Sequence, residues 1–204
     1  MKRLITLLAA AVMMTIATNS FAQMSVGAGF LHANDQITLK GIDPVDIGMN
    51  GVYAGVSYNL PVTGLIGITP GLYYSMLFAD DSALQGELGA KLREHFLNVP
   101  VYLNVGFGLG EVARLFVFAG PTAQFGLAST AEVSVGGKSS PKIDRYKDSD
   151  YSRTNLLLGG GLGLNISRIQ ITLGYDQGLF NLDTSDDGTK RIKSYAKAGI
   201  AYLF

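Results

Sequence analysis

The sequence predicts an all-β fold, an eight-stranded antiparallel up-and-down transmembrane β-barrel, on three observations. Apolar and polar side chains alternate with a period of two through segments of about ten residues, as in a strand whose two faces meet different surroundings. The connections between these segments alternate between short and long. Beyond Gln23 no apolar run reaches the ~18 residues of a spanning helix. The longest, Leu156 to Leu164, is nine residues and four of them are Gly. If the chain sits in a membrane past its first segment, it crosses as strands.

Residues 1–22 read as a secretory signal peptide. Lys2 and Arg3 precede an apolar stretch from Leu4 to Ile16, and Ser20-Phe21-Ala22 offers a cut before Gln23. The apolar stretch, about 13 residues, is short for an uncleaved anchor. The barrel is then expected over 23–204, a length suited to one domain. The absence of Cys excludes a disulfide scaffold, and 16 basic against 16 acidic residues give no positive footprint for nucleic acid.

Taken in chain order, the first strand is expected over roughly 24–32, ending at His32. The second, 50–60, turns Val52, Val56 and Tyr58 to one face, and the third, 65–78, does so with Ile66, Ile68, Leu72 and Tyr74. The fourth, 92–105, carries Leu97, Val99, Val101 and Leu103. The fifth, 114–130, carries Leu115, Val117 and Phe125, with Pro121 at an outward mid-strand position where a bulge would best tolerate its missing donor. The sixth, 153–166, shows Leu156, Leu158, Leu162 and Leu164, and the seventh, 169–182, shows Ile169, Ile171, Leu173 and Tyr175. The eighth, 192–204, sets Ile192, Ile200, Tyr202 and Phe204 against Lys193, Lys197 and Leu203.

Ser167-Arg168 forms a two-residue turn that places Ile166 opposite Ile169, Leu164 opposite Ile171 and Leu162 opposite Leu173. A hairpin centred between Asp186 and Asp187 would place Phe204 opposite Ile169, Tyr202 opposite Ile171, Ile200 opposite Leu173 and Lys197 opposite Asp176. A one-residue slip would invert every pair. Short turns (61–64, 106–113 and 167–168) alternate with long polar loops (34–47, 79–91 and 131–152), the pattern of short periplasmic turns and longer outer loops.

Parity alone does not say which face is outside, so a soluble lipocalin-like cup with an apolar interior stands beside the membrane barrel. The second face is Gly, Asn, Gln, Thr and Ser with a few charges, which suits a narrow lumen held in lipid. Arg114, Arg153, Asp176, Lys193 and Lys197 share that inner parity, with Glu94 a further candidate. Unpaired charge in a small lumen is costly, so these are expected to pair into a polar network, with an ion path or ligand seat as the alternative.

Four stretches, "HFLNVPVYLNVGFG" (95–108), "FVFAGPTAQFGLAS" (116–129), "LLLGGGLGLNISRIQITLGYDQGLFNL" (156–182) and "AKAGIAYLF" (196–204), resemble the PorT-like outer-membrane β-barrel family of Bacteroidetes. The shared pattern is a strand with Leu-x-x-Pro, then Phe-Ala-Gly-Pro, a Gly-rich hairpin with Tyr-x-x-Gly-Leu, and a final aromatic residue. The resemblance covers about the last 110 residues, and the first three strands mainly through "ITPGLYYS" (68–75). It implies an eight-stranded barrel in the outer membrane. It also implies that Ile200, Tyr202 and Phe204 form the C-terminal signal read by the barrel-insertion machinery.

No catalytic, cofactor-binding or metal-binding residue is expected. His32 and His95 lie near strand tops on separate walls, with the parity of the lipid face. Asp80, Asp81, Asp35 and Glu87 read as solvated loop carboxylates or weak calcium ligands before they read as acid–base groups. "GFGLG" (106–110) and "GGGLG" (159–163) lack the following helix of a phosphate loop, and fit instead as lumen-side glycines. The expected role is non-enzymatic: a structural, adhesion, or envelope or secretion-partner protein contacting lipid and, through loop 131–152, a protein partner. A small-solute channel or ligand-binding barrel is the alternative, and a barrel enzyme a more distant one.

Overall fold

The computed structural model describes residues 23–41, 43–84, 88–110, 113–135, 138–139, 142–148, 150–185 and 188–204. For 80–84, 88–90, 133–135, 138–139 and 148 only the backbone is described. The signal-peptide segment lies outside these residues, as does the expected hairpin tip at Asp186 and Asp187.

Eight long strands form one closed antiparallel sheet: β1 (Gln23–Thr38), β2 (Val45–Pro61), β3 (Ile66–Leu84), β4 (Leu88–Leu109), β5 (Ala113–Val135), β6 (Thr154–Ile166), β7 (Ile169–Gly178) and β8 (Lys190–Leu203). Each pairs with its neighbour in sequence, and β1 pairs with β8 to close the barrel. Closure satisfies the edge groups that an open sheet would leave bare. Two short strands, Lys138–Ser139 and Ile143–Asp144, add to the long-loop end of β5 and lead into one helical turn, Arg145–Asp148.

Outward positions carry exposed apolar residues, among them Phe30, Val52, Leu72, Leu103, Val117, Leu162, Leu173 and Ile200. An apolar outer wall is that of a barrel in lipid and not of a soluble cup. The strands on the long-loop side run past the expected boundaries, so segments assigned to loops (34–38, 45–47 and 79–84) belong to the ladder. β7 instead stops at Gly178, and 179–185 is irregular apart from a bridge between Tyr151 and Asp183.

The β6–β7 turn has the expected register, with Ile166 opposite Ile169 and Leu162 opposite Leu173. The β7–β8 register differs by two residues: Ile169 faces Tyr202, Ile171 faces Ile200 and Leu173 faces Ala198. A two-residue slip keeps every side chain on its face, so parity could not detect it. Pro121 faces Leu158 with no register shift around it; the β4–β5 irregularity lies at His95/Phe96, where Leu127 is the extra residue on β5. That bulge re-aims β5, so that Ser129 turns inward while Thr130 and Glu132 face the opposite way.

The lumen is less uniformly polar than its sequence suggests. Leu31, Ala33, Met49, Leu77, Phe96, Leu157 and Tyr195 form a buried apolar belt across it. On the short-turn side, aromatic rings lie over glycines of an adjacent strand or of the next strand but one. A Cβ at Gly163 would sit 2.1 Å from Cζ of Phe116, and one at Gly199 would sit 2.1 Å from the Tyr53 hydroxyl. The lumen glycines therefore make room for rings. Gly163→Val is expected to lower barrel stability by about 1–3 kcal/mol in urea titration, and Phe116→Ala in the same chain to recover part of that loss. Equal losses with and without the Phe116 ring would refute the seat.

Candidate functional site

The interior divides at the apolar belt into a charged cluster at the long-loop mouth and a cavity on the short-turn side. The mouth cluster follows from strand alternation: Asp35 on β1 stands opposite Lys193 on β8, and Glu94 on β4 opposite Ser129 on β5. All four face inward, and Asp35, Glu94 and Lys193 are completely buried. Lys193 Nζ donates to Glu94 Oε2 at 2.5 Å and to the Tyr151 hydroxyl at 3.0 Å, and lies 3.3 Å from Asp35 Oδ2. Arg191 Nε donates to both oxygens of Asp35, at 2.8 and 3.0 Å, and its Nη2 makes a further bond to Oδ2. Arg145 Nη1 donates to Glu94 Oε1 at 2.9 Å, and the Ser129 hydroxyl donates to the same oxygen at 3.2 Å.

Residues of loop 131–152 roof this cluster. The Tyr151 ring has Arg145 over it at 4.2 Å and Arg191 at 5.0 Å. Tyr146 stacks on Tyr151 with ring centroids 5.5 Å apart, and Arg153 lies 4.8 Å from the Tyr146 ring. Gly126 makes this packing possible, because a Cβ there would sit 1.8 Å from the Tyr146 hydroxyl. Burial pushes the Tyr146 phenol well above the ordinary tyrosine range, with Tyr151 and Glu94 acting in the same direction. Burial also raises the Tyr151 phenol, against the pull of Lys193. Both phenols stay protonated at neutral pH, so the roof keeps its charge pattern.

Beneath the belt, Asp176 and Lys197 form an ion pair, and Lys197 also donates to the Tyr102 hydroxyl at 3.0 Å. In the observed register they are diagonal neighbours, since Asp176 faces Tyr195 and Lys197 faces Gly174. Gly159 leaves space for the carboxylate: a Cβ there would lie 1.9 Å from Asp176 Oδ1. Around the pair is a cavity of about 150 Å³ bordered by Tyr53, Tyr73, Tyr102, Phe118, Asn98 and Gln124.

The expected charges are thus divided. Lys193 belongs to the mouth cluster, and Asp176 and Lys197 to the cavity. Arg114 stands apart, donating to the Leu65 carbonyl at 3.1 Å near the short-turn end, and Arg153 is exposed against Tyr146. His32 bonds Asn50 at 2.9 Å and His95 bonds the Tyr74 hydroxyl at 2.5 Å, on strands that are not neighbours. Asp35 is buried in the mouth cluster and is not a loop group. The side chains of Asp80, Asp81 and Glu87 lie outside the described residues. Sequence reasoning missed Arg191, Arg145 and Tyr151; Arg191 shares the inner parity of Lys193 but lies one residue before the expected eighth strand, and the other two come from a loop. Among the described residues no group of three or more His, Cys, Asp or Glu side chains could hold a metal ion, and no helix is long and apolar enough to cross a membrane.

Residues 19–184 match the family described as "Outer membrane protein beta-barrel domain". The chain belongs to that family. It is an outer-membrane β-barrel, located in the cell outer membrane. No functionally curated protein matches it in sequence. Solved structures similar to this barrel include Ail, the attachment invasion locus protein of Yersinia pestis, at 15% identity over 90% of this chain and 99% of that one, with a TM-score of 0.49. The outer membrane enzyme PagL is 14% identical over 88% of this chain and 98% of that one, with a TM-score of 0.46. Neisserial surface protein A is 14% identical over 89% and 97%, with a TM-score of 0.41.

Removing one member of a buried ion pair strands its partner, which costs about 3–5 kcal/mol. Glu94→Gln in this barrel is therefore expected to lose stability on that scale, because Lys193, Arg191 and Arg145 are left with Asp35 alone, and the double change Glu94→Gln, Lys193→Met to restore part of it. Unfolding of both in urea checks this. Asp176→Ala and Lys197→Ala are expected to be non-additive, the double variant losing less stability than the sum of the singles; additive losses would refute their coupling.

Proposed function

We propose that the protein is a non-enzymatic envelope barrel that presents its long-loop end to a protein partner, in adhesion, envelope integrity or a secretion assembly. The observation that carries this reading is the bolted mouth. Five charged side chains and the Tyr151 ring fill the lumen where a conducting pore would open, and part of the longest loop is folded down as their roof. An eight-stranded barrel is only just wide enough for side chains to fill its interior, so such a bolt has little space to move.

The arrangement of titratable groups also favours a non-enzymatic role. Asp35 and Glu94 are each held by two cations, and both histidines have the parity of the lipid face. An acid–base site needs a base within hydrogen-bond reach of a nucleophile or of its orienting group, in a place a substrate can enter. Among the described residues, Lys142, Lys147 and Asp150 are exposed charges of the roofing loop that a partner would meet.

A second reading, a ligand-binding barrel, draws on the cavity below the belt. Its volume is that of protein cavities that take a single six-membered ring. Aromatic rings and amides around it would suit a small neutral polar solute entering from the short-turn end. In planar bilayers the purified barrel is expected to give no steady conductance, and ohmic current through the wild-type protein would overturn the sealed-mouth reading. A photo-cross-linker at Lys147 or Asp150 on intact cells is expected to capture one discrete envelope protein that a cross-linker at the lipid-facing Leu173 does not. Identical patterns at all three positions would count against a loop-borne partner site.

A further inference from the structure

The outer wall carries a second set of charges with the opposite character to those inside. On β4, Lys91 and Arg93 face outward; beside them on β5, beyond the Leu127 bulge, are Thr130 and Glu132, paired in register with Arg93 and Lys91. Lys142 approaches from the chain just before the short strand Ile143–Asp144, which pairs with Thr130 and Ala131. These five residues line one cleft of about 160 Å³. Among the described side chains none of the three cations has an ion-pair partner, although Lys91 stands in the ladder between Glu132 on β5 and Asp80 on β3, whose side chain lies outside the described residues. By contrast, Lys193, Arg191 and Arg145, inside the mouth, are each paired with a carboxylate.

The cleft lies where the apolar wall ends. Directly below it on the outer face are Leu127 and Phe125 of β5, half exposed, and the Tyr74–His95 pair on β3 and β4. Aromatic side chains of this kind mark the level of the lipid headgroups in membrane barrels. A ligand here would meet cations at its head and an apolar surface along its tail.

We propose that this cleft is a binding site for the phosphomonoester headgroup of an outer-leaflet lipid, whose acyl chains lie against the Leu127–Phe125 wall. Three cations converge on the cleft, and a phosphomonoester near neutral pH carries about −1.5 to −2. Arg93 supplies a planar fork of donors suited to two phosphate oxygens, and the two lysines supply point charges on flexible stems. Glu132 repels a second anion and restricts the site to one headgroup. A lipid is favoured over a free anion because the half-exposed Leu127 and Phe125 offer apolar surface on β5 below the cations. Basic pockets beside transmembrane elements hold lipid phosphates on the same principle.

Native mass spectrometry of the full barrel, released from nanodiscs of phosphatidylcholine with phosphatidic acid as a minor component, tests the proposal. Wild-type protein is expected to retain one phosphatidic acid in preference to phosphatidylcholine. The combined variant Lys91→Gln, Arg93→Gln, Lys142→Gln is expected to bind it roughly 100-fold more weakly, at about fivefold per charge removed. Lys40→Gln with Lys190→Gln, two other exposed cations of the long-loop end, should bind as wild type does. Heat-dependent gel mobility establishes that every variant is folded. Equal retention by the triple variant and wild type overturns the site. If inorganic phosphate at the concentration of the lipid displaces it fully, the site recognises a soluble anion, and the lipid assignment fails.

Discussion

Closure of the sheet is the constraint on which everything else in this barrel depends. In hydrocarbon each unsatisfied backbone N–H or C=O costs several kcal/mol, and only the β1–β8 pairing removes the last edge. Once the ring is closed with eight strands, the lumen width is fixed and each inward position has one side chain's worth of space. Large inward residues then need small ones across the ladder. Phe116 over Gly163 and the Asp176 carboxylate over Gly159 are consequences of that width. Gly in the inner ladder weakens the strand on its own, so these positions are explained by what lies over them.

The same narrowness governs the charges. Lys193 is completely buried, and an ammonium group in that setting is tolerable only with carboxylates in contact. Asp35 and Glu94 supply them from strands that are distant in sequence, and Arg191 and Arg145 each bind one of these carboxylates as well, so the cluster holds three cations to two carboxylates. Breaking such a pair is far more costly than the pair is stabilising, because desolvation has already been paid when the barrel closes. The cluster therefore specifies how the β1, β4 and β8 walls face one another more than it adds net stability. Its register information is stronger than that of the outer wall, where one apolar residue slides past another at small cost.

The eight strands and their outward faces were legible in the sequence because a two-sided strand writes its period directly into the residues. What period cannot carry is translation by an even number of residues. The β7–β8 hairpin shows this: Tyr202 rather than Phe204 faces Ile169, yet every face is as expected. The Asp176–Lys197 pairing survives the change because the long lysine reaches the diagonal position, which Gly174 leaves open on its own partner strand. Asp35 was within reach of the same reasoning, since continuing the alternation of Leu31 and Ala33 by one more step turns it inward. Ending the strand at His32 and assigning 34–47 to a polar loop hid it. Arg145 and Tyr151 were not legible at all, because a loop that folds into a barrel mouth leaves no periodic trace.

That loop links the two faces of the wall. Its described part descends far enough for Arg145 to reach Glu94, and it is held there by the bulge at Leu127, which turns Ser129 toward Glu94 and Glu132 toward the outside. One extra residue in β5 thus sends Ser129 to the inner cluster and Thr130 and Glu132 to the outer cleft. Deleting Leu127 would leave Gly126 opposite Phe96, Ala128 opposite His95 and Ser129 opposite Glu94, now in simple alternation. Were β5 to keep Leu127 in regular alternation without the bulge, Ser129 would turn outward and Thr130 inward. The bulge therefore sets which β5 side chains serve the mouth and which line the outer cleft, although no residue belongs to both sites.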